Sequence, residues 1–515
     1  MNQAKIIFSI LFLLTSTLFW ADNIKKGDVI CISDFNNQNQ RNEWSTNPTA
    51  QWVQQGVGST TCLFVNGVGM VHSTIHLSPF RGMKLQFRCK TKAENVTKPA
   101  KINLGVKYML HYKSETGETW RNEDNVYGTF DWKELSFIIN IPYDATDGDL
   151  NLGLQGSTGK VWFDSLSVKV INLPNEIPIL KKGPFKAITK YRGVMSPLVF
   201  KPKDFQELGK RWGANLIRWQ LTMNSSESKA VGTNLTKYDS WLSGKLKQLD
   251  SVLIACHQNG IRVVIDLHSL PGGRNQDGTS LFYDSQLNNR FISIWQAISL
   301  RYRGNPTVWG YDLMNEPVQN KLPSEGMDYI QTQVKVAKAI RKIDKKTAII
   351  FEVECWDSPA EFSFLSPIPV SNVIYEVHMY QPGIFTHQGV HDNGSGITYP
   401  GSINGTYYDK NKLTQILQPV RDFQLRYHVP VYVGEFSAIR WAPGAAQYLD
   451  DCIDIFEKYG WNWTYHAYRE WNGWDIEYEN GTSKNDSPHK ALKDTDRKKV
   501  LLKWFGKNRK IMERK

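Results

Sequence analysis

Cysteine is scarce. The chain has six in 515 residues, with Cys31, Cys62 and Cys89 early and Cys256, Cys355 and Cys452 late. Three in each half cannot all pair internally, so a disulfide scaffold is excluded; a bridge Cys31 to Cys62 or Cys62 to Cys89 is allowed, and spacing does not choose between them. The sequence also lacks CxxC, HExxH, a glycine-rich phosphate loop and a GxSxG elbow. Zinc-hydrolase, nucleotide-binding and serine-hydrolase chemistries lose their usual footing. One apolar run stands out, Ile6 to Trp20 behind Lys5. It is shorter than the ~20 residues of a membrane span and matches a signal peptide over residues 1–21. A secreted or periplasmic protein is expected, with an uncleaved anchor as the alternative because Phe19 and Trp20 fit a small-residue cleavage site poorly.

Acidic residues are outnumbered, 50 against 62 Lys and Arg, for a net charge of +12. The excess is local. Residues 490–515 carry eleven Lys or Arg and three Asp or Glu, or +8, leaving +4 for the rest. A nearly neutral body argues against nucleic acid as a partner. The basic stretch also holds Val500, Leu501, Leu502, Trp504 and Phe505, and reads as the solvated face of a terminal helix.

Two rhythms divide the chain. From Asp28 to Asn172, short runs with period-two alternation, such as Met83 to Cys89 and Val161 to Val168, are separated by turn residues. An all-β sandwich over residues 22–172 is expected. Residues 173–184, rich in proline, read as a linker. Beyond it, from residue 185 to 515, strand-like runs alternate with amphipathic stretches: Tyr191 to Met195, Ala214 to Trp219, Arg262 to His268, Val308 to Glu316, Ala348 to Val353, Val373 to Tyr380, Val431 to Phe436 and Trp463 to Tyr468. Eight β/α units predict an α/β fold, a (β/α)₈ barrel.

Chemistry in such a barrel sits at the C-terminal ends of the strands. Those ends carry Arg218, Asp266 and His268, Asn315 and Glu316, Glu354 and Trp356, His378 and Tyr380, Glu435, then Arg469 and Trp471. Two glutamates among histidines, an arginine and aromatics suit a sugar site. Glycoside cleavage needs one carboxyl to protonate the leaving oxygen and one carboxylate to attack the anomeric carbon or direct water at it, and Glu316 and Glu435 fit by position. A carboxyl separation of about 5 Å makes such a pair retaining, and about 6.5–9.5 Å makes it inverting.

The ordered set Ala214-Asn-Leu-Ile-Arg218, Asp266-Leu-His268, Asn315-Glu316-Pro317, His378-Met-Tyr380 and Gly434-Glu435-Phe436 resembles glycoside hydrolase family 5, which includes many cellulases. The resemblance implies Glu316 as general acid/base and Glu435 as nucleophile of a retaining double displacement without a cofactor. It further implies Arg218 supporting Glu435, Asn315 on the sugar 2-hydroxyl, Tyr380 donating to Glu435, and His268 and His378 lining the subsite. Strand eight departs from the family pattern. His466 stands where many members have a tryptophan floor, and Trp471 or Trp474 is the expected replacement platform. The N-terminal region, with Asp34-Phe35 early and Gly159-Lys-Val-Trp-Phe-Asp164 late, resembles jelly-roll carbohydrate-binding modules. That resemblance implies Asp34 and Asp164 as candidate ligands of a structural Ca²⁺, and Tyr112, Trp120, Tyr127 and Trp132 as core or sugar-stacking aromatics. A monomeric enzyme acting on a polysaccharide is expected; a transglycosylase using the same glutamates and an inactive glycan-binding barrel are the alternatives.

Overall fold

The computed structural model describes residues 24–114, 117–142, 144–173, 190–197, 199–323, 326–390 and 394–512. The expected signal segment and, from residue 174 on, the expected linker lie outside the described residues. Two compact units divide after Leu173.

The first unit is all-β apart from short helical turns. One sheet runs Ala50–Val53, Cys62–Asn66, Lys160–Asn172, Lys84–Val96, Gly128–Asn140, with Val29–Ser33 also paired to Lys160–Asn172. The other runs Gly69–His76, Asp147–Gln155, Gly105–Ser114, Gly117–Asn122. Alternation decides which side is buried: Leu85, Phe87, Cys89 and Ala93 of one strand face the core, where Phe87 stacks on Phe137 at 4.9 Å. Tyr112 is core, Tyr127 and Trp132 are half-buried, and exposed Trp120 lies flat on His111. Neither early disulfide forms. Cys62 and Cys89 are free thiols, pushed up to about 11 and about 12 chiefly by burial.

Asp34 and Asp164 do not fit the calcium expectation. Buried Asp164 accepts from the Val57 and Ser165 amides and the Thr60 hydroxyl, so both oxygens already serve to pin a loop. Asp34 is exposed and caps its own turn at Asn36. Two such carboxylates fall short of the six to eight oxygens that Ca²⁺ takes.

The second unit holds a closed barrel of eight strands: Arg192–Met195, Leu216–Gln220, Arg262–Asp266, Val308–Asp312, Ala348–Phe351, Val373–Met379, Val431–Phe436 and Asn462–Tyr465. Each neighbouring pair is parallel, and the eighth strand closes on the first. These are the eight runs read from the sequence. Between them lie the helices Leu235–Gln258, Ser285–Tyr302, Tyr329–Arg341 and Ala445–Tyr459. The terminal helix Asp496–Met512 buries Leu501, Trp504 and Phe505 while Lys499, Lys503 and Lys507 are exposed; Phe505 stacks on Trp463 of the last strand.

Inside the barrel the period-two rule gives two layers of opposite character. Leu216, Val264, Ala348, Ile350, Ile374 and Tyr432 form an apolar floor. Two residues further along five of these strands come Arg218, Asp266, Glu352, Glu376 and Gly434, and strand four adds Asp312. Gly434 is required by its neighbour: a Cβ there would overlap the Glu376 carboxylate.

Candidate active site

Arg218 organises the charged layer. It is fully buried, and its Nε donates to Asp312 Oδ2 at 2.7 Å. Nη1 donates to Glu435 Oε1 at 2.7 Å, and Nη2 to Glu352 Oε1 at 2.8 Å and Asn315 Oδ1 at 3.0 Å. Asp266 and Glu376 each lie 3.2 Å from the same guanidinium. The second oxygen of Glu435 accepts from the Tyr380 hydroxyl at 2.9 Å, so the carboxylate is held at both ends.

His378 joins the two glutamates. Its Nδ1 lies 3.0 Å from Glu316 Oε1 and 3.9 Å from Glu435 Oε2, while Nε2 faces Glu376 at 3.3 Å. His268 pairs with Asp266 at 2.8 Å, and its other nitrogen meets the Asn315 amide at 3.4 Å. Carboxylate oxygens of Glu316 and Glu435 lie within 4.8 Å of each other. Burial alone would raise the Glu435 carboxyl, but His378, His466, Arg218 and His268 outweigh it and hold the group well below the usual carboxylate range. His378 moves the other way: burial opposes its charge, and Glu435, Glu352, Glu316 and Glu376 restore it, keeping the imidazole protonated above its ordinary range.

Strand eight builds a polar floor. His466 Nδ1 lies 2.7 Å from the Tyr380 hydroxyl and its Nε2 lies 3.2 Å from Glu470, which also accepts from Gln220. Trp474 is buried and unsuited to be a platform, whereas half-buried Trp471 lines, with Glu470, Lys201, Asp204 and Lys490, a cavity of about 370 Å³. The sequence reading missed Glu352, Glu470 and Gln220. Glu352 was detectable from the alternation of its strand, Ala348, Ile350, Glu352; Glu470 lies in a loop, where no periodicity marks it. Glu376 is internally paired, with Arg218 and His378. On the strand-five side, Cys355, Trp356 and Asp357 are all left-handed, with φ of 59°, 63° and 53°. That turn sets the exposed Trp356 indole 4.4 Å from Arg274, whose guanidinium donates to the carbonyls of Asn315 and Glu316.

The family model described as Cellulase (glycosyl hydrolase family 5) matches residues 184–472, more than half of the chain and the whole of this constellation. The chain belongs to glycosyl hydrolase family 5. It is a glycoside hydrolase that cleaves β-glycosidic bonds. Endoglucanase C of Acetivibrio thermocellus is 27% identical over 252 residues, covering 43% of this chain and 72% of that one. A beta-xylosidase of Phanerodontia chrysosporium is 32% identical over 149 residues, 26% of this chain and 29% of the relative. Among solved structures, Thermotoga maritima Cel5A in complex with mannotriose has 21% identity and a TM-score of 0.47, covering 60% of this chain and 97% of that one.

This family 5 site carries more acid than its cations balance. Asp266, Asp312, Glu352, Asp357, Glu376 and Glu435 are buried, against Arg218 and His378. One carboxyl oxygen of each of Asp312 and Asp357 accepts no hydrogen bond among the described residues. Burial pushes Asp312 and Asp357 well above the usual carboxylate range, more than Arg218 and His378 respectively can offset. Groups whose folded value is raised bind more protons folded than unfolded, so their stabilisation is full in acid and is lost as pH rises. Glu435, depressed, acts oppositely and is lost as pH falls below the ordinary carboxylate range. The thermal midpoint therefore peaks near about pH 5 and falls toward pH 9, and Asp312→Asn flattens the alkaline decline. Differential scanning calorimetry across pH checks this; a midpoint rising from pH 5 to 9 would contradict it.

Proposed function

We propose that the chain is an exported, retaining enzyme that cleaves a β-linked polysaccharide, with Glu435 as nucleophile and Glu316 as general acid/base. The approach of one carboxylate oxygen of each glutamate to within 4.8 Å carries this reading, because it suits the close pair of a retaining enzyme better than the wider spacing that an interposed water takes. Glu435 is held ionised and aimed by Arg218 and Tyr380. Glu316, whose side chain is 19% exposed, faces the cleft where a leaving oxygen departs. Glycosylation forms the bond from Glu435 to the anomeric carbon while Glu316 gives its proton to the leaving oxygen. Glu316 then takes a proton from water, whose oxygen displaces Glu435. Asn315, held by Arg218, is placed to bond the sugar 2-hydroxyl.

Glucan is the first substrate class to test, since relatives of this chain include endoglucanases and one β-xylosidase. Tyr380, His466, Glu470 and Gln220 offer hydrogen bonds where an indole would offer stacking, so the glycone is read through its hydroxyls. The first unit, with its two sheets and exposed Trp120, serves in this reading as a jelly-roll module that holds glycan. Reducing-sugar release from β-glucans, mannans, xylans and arabinogalactans identifies the polymer. Proton NMR of the first product is then expected to show the anomer retained. An inverted anomer would overturn the double displacement. Transfer to an added acceptor in place of water would mark a transglycosylase, and silence on every polymer would favour the inactive barrel.

A further inference from the structure

Five carboxylates surround the Arg218 guanidinium, and four of them, Asp266, Asp312, Glu376 and Glu435, already exceed its charge. Glu352 is the fifth. A further acid in a dry interior is costly as a counter-ion, so its presence calls for another partner. That partner is the main chain of Glu316: Glu352 Oε2 accepts from the Glu316 amide at 2.6 Å while Oε1 accepts from Arg218.

Glu316 needs such a hold. Its φ is 48°, in the left-handed region that a long side chain enters at a cost and keeps only where the surroundings fix it. Its carbonyl is bound by Arg274 at 2.6 Å, and its amide by Glu352. Glu352 is in turn fixed from the helix Tyr329–Arg341, where the Gln333 amide donates to the Glu352 carbonyl at 2.8 Å and the Gln333 oxygen accepts from its N–H at 3.4 Å. We infer that Glu352 is a positioning residue for this reaction: it sets the orientation of the acid/base Glu316 and, through Arg218, ties that orientation to the nucleophile Glu435. The inference rests on the reading of Glu316 as the acid.

The test compares two leaving groups. A carboxymethylated β-1,4-glucan needs a proton on its departing oxygen, whereas 2,4-dinitrophenyl β-cellobioside releases a phenolate that needs none. In Glu352→Gln the new amide sets a donor against either the Glu316 N–H or Arg218. kcat/KM on the glucan is expected to fall about 100-fold or more, and on the dinitrophenyl glycoside less than about 5-fold, as for loss of general acid catalysis. Asp312→Asn disturbs the same guanidinium without touching Glu316, and both substrates are expected to lose equally. Should Glu352→Gln not fold, Gln333→Leu loosens Glu352 from outside the barrel and is expected to show the same leaving-group dependence with a smaller loss. Equal losses on the two substrates in the Glu352 or Gln333 variant would overturn the inference. Glu316→Gln, run alongside, separates the two claims: if it shows no leaving-group dependence, the acid assignment fails, and if it does while Glu352→Gln does not, only the positioning role fails.

Discussion

Glu435→Ala is expected to leave less than about one part in 10⁴ of wild-type turnover with the fold intact, because no other group can form the covalent intermediate. The side chain sits at the open end of the charged layer, 5% exposed, where it is bonded by Arg218 and Tyr380. Stability at neutral pH should therefore fall modestly, because the ionised carboxylate's favourable pairing is lost. The variant also leaves a hole beside Arg218 and Tyr380 of the right size and charge for a small anion. Azide is expected to restore turnover of a dinitrophenyl glycoside and to give the glycosyl azide of inverted configuration, read by NMR. Near-normal hydrolysis in the variant, with or without azide, would remove Glu435 from the mechanism.

Arg218→Leu has the opposite profile, with a large effect on the fold itself. Taking the cation from a fully buried network leaves Asp266, Asp312, Glu352 and Glu376 facing one another without their shared guanidinium, and breaking a buried pair from one side costs about 3–5 kcal/mol. More than one pair is broken here. The variant is expected to unfold at markedly lower urea than wild type at pH 8, with the gap narrowing at pH 5 as the carboxyls take up protons. Arg218→Lys keeps the charge but not the five-donor fork, and should fall between the two. A urea midpoint for Arg218→Leu equal to that of the wild type at pH 8 would show that the interior is organised by something else.

Much of this was legible in the chain because strand ends and motifs are local. Arg218, His268, Asn315, Glu316, His378, Tyr380 and Glu435 converge because each closes a strand whose period is short and whose neighbours are parallel. The polar floor was only half visible: His466 marked the departure, but its partner Glu470 lies in a loop, and loop side chains are placed by tertiary contacts. The three left-handed residues Cys355, Trp356 and Asp357 carry no glycine to announce them. Their turn is held partly from outside their own sequence, by the Trp356 amide donating to the Pro317 carbonyl, and partly within it, by Asp357 accepting from the Val353 amide. Trp120, expected as core ahead of platform, is instead exposed, on a strand of the smaller sheet with its ring against His111.

The partners of Arg218 come from successive strands: Asp266 from the third, Asp312 from the fourth, Glu352 just past the fifth, Glu376 from the sixth and Glu435 from the seventh. A half-barrel ending at strand four would hold the guanidinium with two acids, and the complementary half would hold three acids with no guanidinium. Neither fragment is electrically whole. Closure of the ring is thus the step at which the last three acids first reach the guanidinium, which makes late assembly an all-or-none event for this unit and disfavours its populating stable halves.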